Sequence, residues 1–430
     1  MPNGWARADS PWVVPQPAVN SRRWLLSRDF AYVWWGQTVS QVGDGISKLA
    51  LLWFVYAVTG SPLKTTVIGL LQTIPPIVLG PLIGVAVDRL PKKPLLIASD
   101  VSRAILIGLI PCWMSVESFT VERLYLLVFL HAVATALFGP ALTATIPSIV
   151  APAQYTAANA LLQSTTSLGV IMGPALSGLG IAALSSQDVL CLNAVTYLVS
   201  ALFFLRIHVA PPAATDQSQG VVRSTLSDLV EGIRFALFRQ PTILFLTLTA
   251  SLYTFATSAF TTLFPVFGRK LLDLGPVEVG YLWSALGVGL LAVSVALIWI
   301  SEWGLERRIR VITAASAISG GCLLALVWAS NSYVAGALMC VIGGGLGTLT
   351  PIAWGVLQEL SPPTMVGRAL AVYSAGAMTA AIGGLTFFGW VTGEFGEPIS
   401  LAGIGLVLFA TAVVAATFSR WVRSDVVART

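Results

Sequence analysis

Long apolar runs, separated by short polar breaks, fill almost the whole chain. A membrane-spanning helix needs about 20 consecutive, mostly apolar residues, and twelve runs are long enough to supply one each. The twelve predicted helices lie near 30–58, 64–87, 94–114, 123–145, 157–183, 189–208, 242–267, 278–300, 309–329, 333–358, 368–393 and 398–421. Charged residues are only 10% of the 430, against about 25% in soluble domains. The sequence therefore predicts an all-α membrane protein with twelve transmembrane helices.

One polar break is much longer than the others and divides the predicted helices into two groups of six. The predicted domains are an N-terminal cytoplasmic tail (1–27), a six-helix half (28–208), a cytoplasmic linker (209–241), a second six-helix half (242–422) and a C-terminal tail (423–430). Apolar residues in the linker recur at helical spacing, which predicts an amphipathic helix on the membrane surface. These residues are Leu226, Leu229, Ile233 and Leu237.

The two halves resemble each other at one matching position. The segment APAQYTAANAL at 151–161 aligns with SPPTMVGRALA at 361–371, and both lead from a loop into a helix after a proline. Paired repeats around a central site are typical of transporters. The duplication therefore favours a twelve-helix carrier over twelve unrelated helices.

The basic residues predict the orientation, because cytoplasmic loops of membrane proteins carry an excess of Lys and Arg. With both termini in the cytoplasm, 18 of the 24 basic residues are cytoplasmic. Only four face outward, namely Lys64, Arg123, Arg269 and Lys270. We therefore expect a multi-pass protein of the bacterial inner membrane with cytoplasmic termini. The same bias accounts for the net charge of +5, so no nucleic-acid partner is needed.

The loop GVAVDRLPKKPLL, between the second and third predicted helices, carries a recognisable motif. It resembles the G-x-x-x-D-[RK]-x-G-[RK]-[RK] pattern of the major facilitator superfamily, with Pro91 in place of the second glycine. The matching residues are Gly84, Asp88, Arg89, Lys92 and Lys93. An acid at a helix end and bases at the lipid surface are expected to pair with the opposite half and latch one conformation. The alternative is an ordinary positive-inside loop.

The fifth predicted helix contains GVIMGPALSG, with Gly169, Gly173, Pro174 and Gly178. This segment resembles the antiporter motif of exporters in the same superfamily, although Ser177 stands where a glycine is usual. Glycines four residues apart let helix backbones approach closely, and an internal proline bends the axis. A bend where the halves meet is expected to seal or open the cavity. Ordinary helix packing is the alternative.

Several further stretches resemble one branch of that superfamily, the drug–proton antiporters that include macrolide efflux pumps and the enterobactin exporter. They are FAYVWWGQTVSQVGDGISKLALLWFVYAVTGSP, DVSRA, VLCLNAVTYLVSALFFL, LSDLVEGIRFALFRQP and LQELSPPTMVGRALAV. The resemblance extends from about residue 28 to 421. It implies a monomer in which the first, fourth, seventh and tenth helices line a central cavity.

Four polar residues recur on one face of the first predicted helix: Gln37, Gln41, Asp44 and Lys48. A charge in hydrocarbon costs about 2.5–3.5 kcal/mol on insertion scales, so these residues predict a polar stripe on a translocation cavity. In that interpretation Asp44 takes up and releases a proton. In the alternative, Asp44 and Lys48, one turn apart, form a self-neutralising pair that is merely tolerated in the membrane.

His131, on the fourth predicted helix, is a second candidate for proton coupling, since histidine changes its charge near physiological pH. The alternative is a hydrogen-bonded packing residue. The resemblance implies further residues that line the substrate cavity on the seventh and tenth helices, and helix–helix hydrogen bonding is the alternative for them. These residues are Tyr253, Thr254, Thr257, Trp354 and Gln358.

Asp100 and Arg103 lie one turn apart in the third predicted helix. Their expected depth near the cytoplasmic face predicts a conformational gate shared with Asp88, rather than a substrate site. All of these assignments concern transport and not catalysis.

The common enzyme motifs are absent from this sequence. It has no GK dipeptide for a phosphate-binding loop, no H-E-x-x-H and no C-x-x-C, so we expect no enzyme activity, no cofactor and no metal. The predicted function is proton-coupled export of a small amphipathic solute, such as a drug, a siderophore or a related metabolite. The expected partners are that solute, protons and membrane lipid. A nutrient importer or a lipid flippase of the same fold, or a membrane sensor that moves nothing, are the alternatives.

Overall fold

A computed structural model describes residues 28–113, 120–150, 154–209, 241–300, 303–329, 331–360 and 366–429. Within these ranges the chain forms thirteen helices. They are α1 (Arg28–Thr59), α2 (Pro62–Arg89), α3 (Lys92–Trp113), α4 (Val121–Ile149), α5 (Tyr155–Ala183), α6 (Asp188–Leu205), α7 (Pro241–Lys270), α8 (Pro276–Ile300), α9 (Leu305–Leu326), α10 (Ser332–Leu346), α11 (Leu349–Leu360), α12 (Val366–Phe395) and α13 (Glu397–Arg429). The predicted amphipathic helix and the N-terminal tail lie outside the described residues.

Twelve segments of the described chain are long and apolar enough to cross a membrane, which confirms the predicted fold class. The tenth of these, Ser332–Glu359, is divided between α10 and α11. At the break, the Tyr253 hydroxyl of α7 donates a hydrogen bond to the Leu346 carbonyl at 2.6 Å. A carbonyl freed by a break in a membrane helix needs such a donor, so α7 stabilises the discontinuity.

Short turns join consecutive helices where the sequence supplies suitable caps. Gly60, between α1 and α2, has a φ of +62°, a left-handed conformation that glycine adopts without steric cost. Ser61 then caps α2, because its hydroxyl accepts a hydrogen bond from the Lys64 amide at 3.3 Å, and Pro62 begins the helix. This is the expected order of a helix start, and it places α1 and α2 antiparallel.

The helices pack as two groups with two main seams between them. In the first group α1 packs against α5 and α6, α3 packs against α4 and α6, and α2 packs against α4. In the second group α7 packs against α12 and α13, α8 against α10, and α9 against α10 and α13. The groups meet mainly where α5 crosses α8 and where α2 crosses α12. One of the two cavities described below lies beside the first of these seams.

Close contacts between the two groups lie toward one end of the bundle. We call the end where α1 begins the basic end, and the end that carries the α1–α2 and α7–α8 turns the opposite end. Near the opposite end, Gly178 packs against Pro276 and Gly389 against Thr66. The bundle is therefore closed at the opposite end.

Candidate functional site

The carboxylate of Asp44 lies where three helices of the first group meet. It accepts a hydrogen bond from the Tyr197 hydroxyl of α6, and Arg103 Nη1 of α3 lies 4.0 Å from its Oδ2 atom. The Asp44 side chain keeps 30% exposure. An ionised carboxylate so deep in the bundle therefore has both a cationic partner and an open face.

A glycine allows α6 to come this close to α1. A Cβ at Gly43 would overlap the Asn193 and Thr196 side chains of α6, so only glycine fits there. Small residues at helix crossings permit such close backbone approach in membranes. Gly43 thus brings Tyr197 within hydrogen-bonding reach of Asp44.

Arg103 is held rigidly behind Asp44. Its guanidinium forms an ion pair with Asp100, and both side chains are buried, with 2% and 0% exposure. The guanidinium also stacks over the rings of Phe138 and Tyr197, with centroid distances of 4.1 and 4.3 Å. Stacking of this kind is favourable for arginine. The side chain is consequently fixed before any ligand or proton arrives.

Asp100 and Arg103 are predicted to form a gate with Asp88; the structure brings Arg103 beside Asp44, and the gate stays a prediction. The polar face of α3 turns toward α1 and α6, since a charge facing lipid would be costly, and the long Arg103 side chain reaches Asp44. The side chain of Asp88 lies outside the description. We therefore assign Asp100 and Arg103 to the Asp44 network.

His131 joins the same network through Tyr197. Its Nε2 atom lies 3.0 Å from the Tyr197 hydroxyl oxygen. Because that hydroxyl donates its single proton to Asp44, its oxygen accepts from His131, which places a proton on Nε2. The three side chains form a continuous hydrogen-bonded chain from α4 through α6 to α1.

A cavity of about 470 Å³ opens beside this chain. Its lining comes from α1, α2, α3, α4 and α6 and is largely apolar. The polar side chains on its wall are Asp44, Ser47, Lys48, Gln72, His131, Thr135, Asn193 and Tyr197. A volume of this size accommodates a drug-sized ligand. We call it the inner cavity, because the first helix group alone encloses it.

A second cavity of about 260 Å³ lies between the two helix groups. Gln41, Asp44 and Lys48 of α1 form one wall, and Thr261 of α7 and Trp283 of α8 lie across from them. We call it the seam cavity. Asp44 and Lys48 line both cavities, so the predicted polar stripe on α1 separates them.

The remaining member of that stripe, Gln37, does not line either cavity. It is buried, and its Oε1 atom has no hydrogen-bond partner among the described residues. The possible Asp44–Lys48 pair is replaced by other contacts, since Asp44 lies by Arg103 while the Lys48 ammonium lies 5.5 Å from the centre of the Trp283 ring.

The predicted lining residues of α7 and α11 also stand apart from the two cavities. Tyr253 is used in the helix–helix hydrogen bond to Leu346 described above, which matches the alternative interpretation. Trp354 is 43% exposed on α11. Neither cavity is lined by Thr254, Thr257, Trp354 or Gln358.

The glycine motif of α5 packs that helix on both sides. A Cβ at Gly169 would overlap the Gln41 carbonyl of α1, and one at Gly173 would overlap the Gly45 backbone. Toward the second group, Gly178 packs against Pro276, and the Pro174 carbonyl leaves no room for a Cβ at Gly280 of α8. The motif therefore serves the α1–α5 contact within one group and the α5–α8 seam between groups.

The basic residues of the α2–α3 loop contact backbone of their own group. The Lys93 ammonium donates to the Leu205 and Ile207 carbonyls, both at 2.9 Å, and so caps the end of α6. Lys92 donates to the Leu90 carbonyl at 3.3 Å, and Arg89 is exposed. Of the predicted latch residues, Lys93 therefore ties the α2–α3 loop to the end of α6 within the first group.

The sequence interpretation missed the contribution of α6. Asn193, Tyr197 and Ser200 lie at positions i, i+4 and i+7 of a mostly apolar helix. This is the same helical periodicity that marked the stripe on α1, and it was the available signal. It also missed Thr261 and Trp283, because single residues in two separate helices show no pattern.

Twelve apolar spans in two packed groups, with buried charges on cavities inside and between them, have the architecture of a membrane transporter. The sequence comparison agrees, since residues 33–384 match the family model described as "Major Facilitator Superfamily". The chain belongs to the major facilitator superfamily, as its motifs predicted, and this is a family of carriers rather than enzymes.

The relatives include efflux proteins, and the structural neighbours are other transporters. The chain is 25% identical to macrolide efflux protein A of Streptococcus pyogenes, over 80% of this chain and 84% of that protein. It is 26% identical to the multidrug efflux pump Tap of Mycolicibacterium fortuitum, over 88% of this chain and 92% of that protein. The structure of a bacterial homologue of the iron transporter ferroportin, in an inward-facing state, has a TM-score of 0.72 at 15% identity, over 91% and 98%. The nucleoside transporter NupG has a TM-score of 0.66 at 15% identity, over 92% and 98%.

Proposed function

We propose that this protein is a secondary active exporter of the bacterial inner membrane, which moves a small amphipathic solute out of the cytoplasm in exchange for protons. The observation that carries the proposal is the His131–Tyr197–Asp44 chain, which ends at a carboxylate on the wall of two cavities. A titratable group within a membrane bundle is a functional candidate by default. The apolar lining suits an amphipathic solute.

Two independent features support export. The glycine motif that resembles the antiporter motif of exporters occupies the α5–α8 seam, where a change in packing between the groups would act. The relatives are described as macrolide and multidrug efflux proteins. Together they favour outward transport over import.

Protonation of Asp44 supplies the coupling in this proposal. The ionised carboxylate attracts Arg103 and accepts from Tyr197, and so ties α1 to α3 and α6. A proton on Asp44 removes that attraction while Arg103 keeps its pair with Asp100. An inward-moving proton gains about 2.3 kcal/mol per 100 mV of membrane potential, which drives the cycle without ATP.

The moving units are the two predicted halves, 28–208 and 242–422. The described close contacts between the groups lie toward the opposite end. With basic loops in the cytoplasm, the conformation described here opens inward and receives its solute from the cytoplasm or the inner leaflet. Rocking about the α5–α8 seam then exposes the site to the outside.

Efflux from a pump-deficient bacterial host tests this function. Cells that express the wild-type chain are compared with Asp44→Asn cells over a panel of dyes, antibiotics and siderophores. The variant should lose at least about 90% of uphill efflux, because an amide cannot exchange a proton in this range. Glu394→Gln, the same change at an exposed residue, is the matched control. Uphill efflux by Asp44→Asn at the wild-type rate would remove Asp44 from its proposed role.

Everted membrane vesicles decide the direction of transport. An exporter accumulates the solute inside such vesicles when they are energised and acidifies less while it does so. An importer of the same fold would deplete the vesicles instead. Movement of labelled phospholipid by the purified protein in liposomes, with no solute transport, would support the flippase alternative.

A further inference from the structure

Asp44 and Lys48 present opposite charges to one cavity without pairing with each other. Both line the inner cavity. Asp44 has Arg103 as its cationic partner, whereas Lys48 rests beside the Trp283 ring. Among the described residues no carboxylate lies within 4.0 Å of the Lys48 ammonium. The Lys48 side chain is exposed on the cavity wall, so a bound anion can reach its ammonium.

Two more polar side chains lie on the same wall. Ser47 and Asn193 are 7% and 0% exposed, and both line the inner cavity. Asn193 is a hydrogen-bonding neighbour of Asp44 and Tyr197. These two residues add neutral polar groups beside the charges of Asp44 and Lys48.

Another part of the inner cavity is apolar. Ile107 and Ile110 of α3, Val128 of α4 and Leu51 of α1 line it. The site therefore combines a carboxylate, an ammonium and two neutral polar groups on one side with an aliphatic wall on another. A ligand that fits both has a charged head and a compact apolar body.

We propose that the inner cavity binds amphipathic solutes whose headgroup is zwitterionic, with an ammonium and a carboxylate close together as in an α-amino acid. The substrate ammonium pairs with Asp44 and the substrate carboxylate pairs with Lys48. Because residues four apart in a helix are separated by about 6 Å along its axis, both side chains reach a head of this size. The proposal names the substrate class of the exporter and therefore rests on the function proposed above.

A zwitterionic head is also compatible with exchange for protons. The substrate ammonium and a proton compete for the Asp44 carboxylate, so loading of one displaces the other. Arg103 does not need to move far, since Asp100 retains it. A purely anionic solute would bind Lys48 best when Asp44 is protonated, and it would then travel together with the proton.

Three commercially available indole compounds test the headgroup on one common body. Tryptophan carries both charges, tryptamine only the ammonium, and indole-3-propionate only the carboxylate. Binding of each tritiated compound to the purified full-length protein in lipid nanodiscs is measured by equilibrium dialysis. Each charged hydrogen-bonded pair is expected to contribute about tenfold in affinity. The wild-type protein should therefore bind tryptophan about tenfold more tightly than either single-charge compound.

Two variants assign each charge to its partner. Lys48→Met should weaken tryptophan binding about tenfold, to the level of tryptamine, and leave tryptamine unchanged. Asp44→Asn should lower tryptophan binding to the level of indole-3-propionate. Lys48→Arg keeps the cation and should retain most of the preference. Lys64→Met, at the opposite end, is the matched control.

Equal wild-type affinity for tryptophan and tryptamine, or failure of all three compounds to bind, would overturn the headgroup assignment. So would a Lys48→Met protein with the wild-type preference. The wild-type comparison decides the question even if the variants fold poorly. Proton-coupled efflux of the drug panel by the same wild-type protein is measured in parallel. If efflux of the drug panel persists but tryptophan is not preferred, only the headgroup proposal is rejected. If proton-coupled efflux is absent, the exporter proposal itself is rejected.

Discussion

At the scale of single residues, Tyr197 occupies the position on which proton exchange depends. Its hydroxyl contacts both His131 and Asp44, so it is the only described link between the two groups proposed to titrate. A hydrogen bond to a charged group contributes about 1.5–3 kcal/mol. Removal of one oxygen atom therefore separates histidine from carboxylate while the ring that stacks on Arg103 stays in place.

Tyr197→Phe tests this link. We expect proton-driven efflux to fall by about tenfold or more, the rate equivalent of one such hydrogen bond, while solute binding changes little. Binding and transport are measured on the same preparation, with Tyr281→Phe, an exposed tyrosine, as control. Parallel loss of binding and transport would instead indicate that the hydroxyl holds the solute.

The same residues show how far the sequence alone could reach. Gln41, Asp44 and Lys48 could be predicted as a cavity wall because polar residues at helical spacing in an apolar run are costly in lipid. The ion pair of Arg103 with Asp44 could not be predicted, because the packing of the whole bundle decides which faces of α1 and α3 meet. Tyr197 was overlooked because a single aromatic residue in a membrane helix is usually a packing residue. The transport roles of all these residues remain predictions.

At the scale of helices, the α1–α5 crossing depends on paired glycines. Gly45 and Gly173 leave backbone against backbone, and a Cβ on either would overlap the other helix. The motif itself was visible in the sequence, but its partner on α1 was not, because glycines are abundant throughout the chain. The break between α10 and α11 was not predicted, although the glycines at 343–345 and 347 and Pro351 are residues that interrupt helices.

Gly173→Ala should destabilise this crossing. A methyl group forced into a well-packed contact costs about 1–3 kcal/mol, so the thermal unfolding midpoint of the purified protein should fall by several degrees. Gly393→Ala is the matched control, because a Cβ at Gly393 meets no atom within 4 Å and alanine favours a helix by up to about 1 kcal/mol. An unchanged midpoint for Gly173→Ala would mean that α1 and α5 separate more easily than their packing indicates.

At the scale of the whole molecule, two helix groups closed at one end require contacts that hold that end together. The glycine contacts of α5 with α8 and of α12 with α2 supply close packing there. Arg269, at the end of α7, adds an electrostatic contact, because its guanidinium lies 5.5 and 6.0 Å from the ring centres of Trp53 and Tyr56 on α1. The twelve-span fold and the family could be predicted from apolar length and motifs. The end at which the two groups meet could not be predicted, because a transporter adopts several conformations with the same sequence.

Arg269→Gln should therefore shift the protein toward conformations open at the opposite end. A cation–π contact at an exposed site contributes about 0.5–1 kcal/mol, equivalent to a population change of about two- to fivefold. Thr262, buried on α7 against Gly69 of α2, reports this opening when it is replaced by cysteine in a chain that lacks the native cysteines. Its reaction with a membrane-impermeant maleimide, added from the opposite end, should accelerate by that factor. Lys270→Gln removes a neighbouring exposed cation and should leave the maleimide reaction rate unchanged. Equal acceleration in both variants would show that the loss of positive charge, and not the contact of Arg269 with the Trp53 and Tyr56 rings, opens this end.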